Sequence, residues 1–547
     1  MATTATTTEP VAEPTPGVLD HFPYPSYRPY QRETILQAVE AFDRGKRFVI
    51  LEVPTGGGKS GIAWTIANHV GESYFVTPAK VLQDQYVRDF GGVLVDLKGR
   101  NAYPCWLLNR DRGPDQPEVF AHRGLCKQTG KSRLPECFDE VLQDAYDGLD
   151  WIFCPYFRRL REAQDASHTL FNFSSFLFQA NYARQFGRRK LLVVDEAHNI
   201  ESQLMGFVEV SLSDRDFRGD GIRFPEYETP EQYRRYFEEI GLARRIKAKI
   251  AAAKATADVA ALEKWKKVKQ RLETFVAEMD STQYVAEWTE HTRRRHRWRT
   301  VALKPLYVRD HAPRLLFDYG QRVLLMSATI LSHRVFCENL GIPLEDVEYI
   351  RVPNTFPLRN RPIRLRYAGS MAYRNRRATL PHLVAKIDKA LDLHAADRGI
   401  IHTHSFAITH FIRDHIAGRH RARLLLQEDF PNKDALLAEH GQRENAVIVA
   451  PAMHEGLDLK DDLSRFQIIC KVPYPNANSD KQLKLRTKAN WHYYLWLTAL
   501  KLVQCYGRSV RSDADYAQTY ILDADFDKFV KMARKMLPPW FLGAILW

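Results

Sequence analysis

Cysteine is scarce in this sequence, with seven in 547 residues. That is too few for a disulfide framework and points to a reducing, cytoplasmic compartment. No apolar run approaches the length of a membrane-spanning helix, so no membrane partner is expected. The opening MATTATTTEPVAEPTPG lacks a basic segment followed by an apolar core, and residues 1–21 read as a disordered tail rather than a signal peptide. There is no close C-x-x-C pair, so spacing alone announces no metal site. Acidic charge is not in excess either: 79 Lys plus Arg against 66 Asp plus Glu leave a net +13, which suits a polyanionic partner or a well-solvated basic enzyme.

What is present is a recurrence of short Val-, Ile- and Leu-rich runs with helical stretches between them. RFVILEV, SYFVTPA, KLLVVDEA and QRVLLMSAT occupy the first half, and PIRLRYAG, GIIHTHSF, ARLLLQE, NAVIVAPA, FQIICKVP and QTYILDA the second. Such runs fit strands of parallel sheets covered on both faces. The expectation is therefore an α/β protein of two sheet domains, meeting near VPNTFPLRNRP at residues 352–362. The first domain is interrupted twice. Residues 99–160 hold four of the cysteines and few strand-like runs, while residues 204–318 are charged and helix-prone, as in AAAKATADVAALEKW. Within residues 291–300, five Arg, two His and a Trp combine charge with a ring able to stack, a pattern open to nucleic-acid contact or to a solvated surface loop.

The strongest chemistry lies in RFVILEVPTGGGKSGIAW, where an apolar run enters Thr55, Gly56, Gly57, Gly58, Lys59 and Ser60 ahead of a helix. Glycines let backbone N–H groups curve around phosphate oxygens, Lys59 can reach the terminal phosphates of ATP, and Ser60 can ligate Mg²⁺. The first Gly of the general G-x-x-x-x-G-K-[ST] pattern is replaced by Val53. In KLLVVDEAH, Asp195 and Glu196 end a buried-type strand, so Asp195 can hold Mg²⁺ and Glu196 can orient and deprotonate water.

Seven ordered blocks widen this reading: YRPYQ (27–31), LEVPTGGGKS (51–60), VTPAKVLQDQY (76–86), VVDEAHNI (193–200), MSATI (326–330), HEGLDL (454–459) and QCYGRSVRSDAD (504–515). Over residues 22–545 the chain resembles the superfamily 2 DNA helicases of the XPD/DinG type. The resemblance implies a first RecA-like ATPase domain (22–98, 161–203 and 319–351) carrying a four-cysteine lobe (99–160) and a mostly helical arch (204–318), and a second RecA-like domain (352–547). It implies adenine-side contacts for Arg28 and Gln31, and coupling roles for His198, Ser327, Thr329, Glu455 and Gly456. Asp458 would face the nucleotide, Gln504 would position water or the γ-phosphate, and Arg508 and Arg511 would be arginine fingers.

The activity so implied is ATP-dependent, 5′ to 3′ translocation on single-stranded DNA by a monomer that separates duplex at a fork. The alternative is a nucleic-acid-stimulated translocase or remodeller without efficient unwinding. The cysteines Cys105, Cys126, Cys137 and Cys154 are separated by 20, 10 and 16 residues. Helicases resembling this one carry four cysteines in this place as ligands of a [4Fe–4S] cluster, and that assignment is carried here, with structural zinc as the alternative. Cys337, Cys470 and Cys505 read as buried core thiols.

Overall fold

The computed structural model describes residues 17–547 except 114, 129–134, 139–151, 294–295, 453–458, 511 and 513. The first-half runs form β1 (Phe48–Glu52), β2 (Ser73–Thr77), β5 (Arg189–Val194) and β9 (Gly320–Ser327). They are joined by β3 (Leu94–Leu97), β4 (His168–Asn172) and β10 (Val347–Arg351) in a parallel sheet of order β10-β1-β9-β5-β2-β4-β3. Every residue of β1 is buried. Its alternate side chains serve opposite faces: Phe48 and Ile50 enter one core, Val49 and Leu51 the other. A strand covered on both faces has no polar side, and so reads as a continuous apolar run.

The second-half runs build β11 (Ile363–Gly369), β12 (Gly399–His402), β13 (Leu424–Leu426), β14 (Val447–Ala450), β15 (Phe466–Ile469) and β16 (Gln518–Asp523). With β17 (Ile545–Leu546) they make a second parallel sheet, β13-β14-β12-β15-β16-β11-β17. The helix Trp491–Tyr506 is apolar almost all round and contributes Trp496, Leu502 and Val503 to a core shared with the first domain. The two domains therefore meet through packed side chains.

The insertion after β5 differs from its expected, mostly helical form. Helices Pro230–Glu239, Leu242–Ala255 and Val259–Glu278 are present, but β6 (Val210–Ser213), β7 (Tyr284–Arg293) and β8 (His296–Pro305) form an antiparallel sheet of order β6-β8-β7 beside them. The stretch AAAKATADVAALEKW is helical at both ends but not throughout: it closes one helix at Ala255 and opens the next at Val259, with Thr256, Ala257 and Asp258 as the turn between. The ribbon was hidden because its outer part alternates only polar residues. The insertion has its own core, with Phe217, Tyr233, Trp265, Phe275 and Val301 at its centre. In the cysteine-bearing stretch the described residues form none: Cys137, Phe138, Ile152, Cys154 and Tyr156 extend the first-domain core.

His168, at the start of β4, is buried and shares a hydrogen bond between its Nδ1 and Ser73 Oγ at 2.9 Å. Burial, and then the positive charge of Arg189, hold its imidazole down to about 4 from the usual 6.5. It is neutral in the fold and takes up a proton when the chain unfolds in acid. The stability it confers is complete above about 6.5 and is lost as pH falls towards 4. His168→Gln, which keeps a partner for Ser73, should flatten the dependence of Tm on pH across that window. An unchanged acid limb would assign the titration to other groups.

Candidate nucleotide site

β1 delivers the phosphate loop and the helix Lys59–Val70 carries its end. Gly56 and Gly58 have φ of 85° and 77°, a region that side chains rarely adopt. At Gly58 space forbids a side chain as well, because a Cβ would lie 2.0 Å from Gln31 Nε2. Gln31 donates from Nε2 to the Gly58 carbonyl at 3.0 Å and accepts the Arg28 N–H at 2.7 Å, while Arg28 Nη1 donates to the Gly56 carbonyl. Arg28 and Gln31 thus brace the phosphate loop. Thr55 and Ser60 are half-buried at its two ends.

The hydrolytic pair stands opposite. Asp195 follows β5, its N–H bonded to the Val76 carbonyl at 2.9 Å, and Glu196 takes a left-handed conformation at φ 48°. That turn brings Glu196 Oε1 to 3.8 Å from Lys59 Nζ. Asp195 is buried, accepts Tyr86 OH at 3.2 Å and the Glu196 N–H at 2.8 Å. Burial, then the neighbouring Glu196 charge, push its carboxyl up to about 6, against the pull of Lys59. A divalent cation would offset both. The donors available, a carboxylate and the Ser60 hydroxyl, are hard oxygens of the kind Mg²⁺ takes together with phosphates and water.

From Glu196 a chain of contacts runs to the second domain. His198 Nδ1 lies 3.4 Å from Glu196 Oε2 and 2.8 Å from Ser327 Oγ. Ser327 Oγ accepts the Thr329 N–H at 3.1 Å, and Thr329 Oγ1 accepts Gln504 Nε2 at 3.3 Å. Arg508 is half-buried just beyond Gln504. It faces Lys433, whose ammonium is lowered by burial and then by the Arg508 charge. Glu455, Gly456, Asp458 and Arg511 lie outside the described residues.

Three participants escaped sequence reasoning. Tyr86 belongs to the VTPAKVLQDQY block, yet only the fold carries its hydroxyl to Asp195. Glu52, buried at the end of β1, accepts the N–H groups of Ile330 and Leu331 at 3.1 and 2.6 Å and Tyr349 OH at 2.7 Å. An acid closing a wholly apolar strand was the signal available for it. Arg486 is buried, bonds Glu201 and, at 2.9 Å, Asn339 Oδ1, and lies 3.8 Å over the Tyr493 ring. Its charge thereby joins the second domain to the helix Ile200–Val208 that follows the hydrolytic turn.

The four cysteines come from separate segments and converge. Cys105 and Cys126 Sγ both lie within 3.5 Å of where a Cβ on Gly124 would stand. Arg100 Nη1 donates to Cys126 Sγ at 3.1 Å. Burial, then the charges of Cys154, Cys105 and Cys126, push the Cys137 thiol up to about 12, and burial raises Cys154 as well. Among the described residues, however, no three His, Cys, Asp or Glu side chains are arranged to hold a metal ion. The donor chemistry, four thiols, is of the kind that binds a metal group as thiolates. Cys337, Cys470 and Cys505 are buried. Among the described residues no helix is long and apolar enough to cross a membrane.

Known proteins fit this geometry. A helicase C-terminal domain model matches residues 391–542, and a model described as type III restriction enzyme, res subunit, matches residues 25–217. The ATP-dependent DNA helicase CHL1 of Candida albicans is 29% identical over 124 residues, 18% of this chain and only 15% of that protein. A solved XPD helicase aligns with a TM-score of 0.65 at 16% identity, covering 94% of this chain and 98% of its own. Xpd4 of S. tokodaii aligns with a TM-score of 0.57 at 13% identity, covering 95% and 99%. The chain thus has a two-domain α/β fold like that of the solved XPD helicase, and its second half matches a helicase C-terminal domain.

Glu52 gives the site a direct test. Glu52→Ala strands two buried N–H donors and a tyrosine hydroxyl, and should cost about 3 kcal/mol or more in urea unfolding. Glu52→Gln keeps an acceptor oxygen and should lose clearly less. Equal losses would show that the carboxylate fills space rather than holding the turn.

Proposed function

We propose that this protein is an ATP-dependent nucleic-acid motor that moves on single-stranded DNA in the 5′ to 3′ direction and separates duplex at a fork. The observation that carries the reading is the ion pair of Lys59 Nζ with Glu196 Oε1 at 3.8 Å, which sets the loop lysine beside the turn after β5. Its hydrolytic side is linked through His198, Ser327 and Thr329 to Gln504 of the second domain. Lys59 and the loop amides would grip the β- and γ-phosphates, Ser60 and Asp195 would hold Mg²⁺, and Glu196 would take the proton of the attacking water. Arg28 and Gln31, already fastened to the loop, would sit on the adenine side. Gln504 and Arg508, with Arg511 and Asp458, would reach the nucleotide from the other domain, so that ATP favours closure and its hydrolysis permits reopening. Glu455 and Gly456 would carry this change towards the bound strand. A translocase that strips protein or RNA without efficient unwinding shares every one of these parts, and forked-duplex separation measured beside ATPase separates the two.

Cys105, Cys126, Cys137 and Cys154 would hold a [4Fe–4S] cluster. The support is their convergence from four segments in a stretch whose described residues form no core of their own. Bound there, the cluster would supply four cross-links between iron and thiolate, displacing the thiol protons that burial favours. The chain's part is to present the four sulfurs, with Arg100 placing positive charge on Cys126.

Glu196→Gln should preserve ATP and DNA binding while reducing turnover by orders of magnitude, since it removes the base and keeps the side-chain size. Near-normal steady-state hydrolysis by the folded variant would defeat the assignment. Anaerobically purified protein should contain about four iron and four acid-labile sulfide per chain. Cys137→Ser should lower fork unwinding more than ATP affinity, and stoichiometric zinc without sulfide would replace the cluster.

A further inference from the structure

The motor accounts for the loops at the ends of the strands but leaves the basic ribbon β7–β8 without a role. Its register pairs His291 with Trp298, Thr292 with Arg297 and Arg293 with His296. Neighbouring residues of a strand point to opposite faces, so Arg293 and His296 share one face while Arg297 lies on the other. Arg215, from the turn packed beside β8, sits 5.4 Å from the Trp298 ring, and His291 stacks on that ring at 5.3 Å. The ribbon is therefore braced, and Thr292, Arg293, His296 and Arg297 in its outer part are exposed.

The acids around it are already engaged. Glu290 takes Arg223 at 3.4 Å and Arg299 at 3.6 Å, Glu226 pairs with Arg299, and Asp214 accepts the Arg299 N–H at 2.9 Å. Among the described residues Arg215, Arg293 and Arg297 have no carboxylate partner. At the other end, the root of the ribbon is held by the second domain. Gln482, in the helix Lys481–Ala489, donates its N–H to Glu287 at 3.1 Å and its side chain to the Pro305 carbonyl at 2.6 Å.

We infer that the outer end of β7–β8 is a duplex-contacting element, separate from the single-strand path of the motor, whose position is set by the second domain through Gln482. The partner is double-stranded nucleic acid. A two-stranded ribbon fits a major groove, and guanidinium groups on both of its faces would meet the phosphate rows that flank the groove. An acidic protein surface needs charge on only one face. The inference rests on the nucleic-acid-motor reading, but its test uses no nucleotide.

The triple variant Arg215→Gln/Arg293→Gln/Arg297→Gln is compared with the wild-type full chain by anisotropy on a blunt duplex and on a single strand, across a salt series without ATP. Each lost phosphate contact should reduce the duplex slope of log K against log salt by about 0.9, for a total near two to three, with little change on the single strand. The same three positions changed to Lys should keep the duplex slope, because the charge is retained. An unchanged duplex slope in the Gln variant, as expected if the ribbon meets an acidic protein instead, overturns the inference. So does equal loss in the Lys variant, since charge would then not be what binds. Failure of the motor reading would appear elsewhere, as absent nucleic-acid-stimulated ATPase in the wild type.

Discussion

The buried carboxylate of Glu52 is the constraint on which the nucleotide site depends. It closes β1 immediately before the phosphate loop and receives the N–H groups of Ile330 and Leu331 from the turn after β9. That turn is strained, with Leu331 at φ 63°. It is also where the second domain is fastened: Trp496 Nε1 donates to the Ile330 carbonyl at 2.8 Å, and Gln504 reaches Thr329 two residues from the strand end. One carboxylate thus keeps the phosphate loop and the interdomain hydrogen bonds in a single frame. Two of its donors are backbone, so they cannot swing away as side chains would.

A second link bypasses that frame. Arg486 carries its charge into a site lined by Glu201, Asn339, Tyr307 and Tyr493, where an unpaired ion would be costly. The neighbouring Gln482 grips the ribbon root. One short helix therefore touches the element behind the hydrolytic turn and the base of the insertion together. Any displacement of the second domain would reach both places, as the proposed motor requires.

The parts legible in the sequence were those whose residue pattern and structural cause coincide. Ten apolar runs became ten strands, most of them because burial on both faces leaves little polar to interrupt them; β11 is the exception, with Arg364 and Arg366 in a strand that is mostly half-buried. Lys59, Asp195 and Glu196 were readable from chemistry alone, and the fold brings them together. β3, β4 and β10 were not readable: LVDL, HTLFN and VEYIR mix polar or charged residues into short strands nearer the sheet edge. The β7–β8 ribbon was missed for a similar reason, since its outer pairs bury no apolar face. Tyr86, Glu52 and Arg486 belong to a further class. Each acts on a partner more than a hundred positions away, and no local pattern encodes which distant hydroxyl, amide or carboxylate it will find.

The order of strands in the first sheet has a consequence for how the chain is made. β1 pairs only with β9 and β10, which follow it by the length of both insertions. On a ribosome the strand that carries the glycine-rich loop emerges early and waits, apolar but for its last residue, without either neighbour until β9 is complete at residue 327 and without β10 until residue 351. During that interval the insertion can condense around its own core, while β2, β3, β4 and β5 can pair among themselves. β1 can only be shielded. Synthesis of this protein thus passes through a long stage in which an unpaired apolar strand, the one that leads into the glycine-rich loop, must be shielded, a demand for holdase assistance written into the topology.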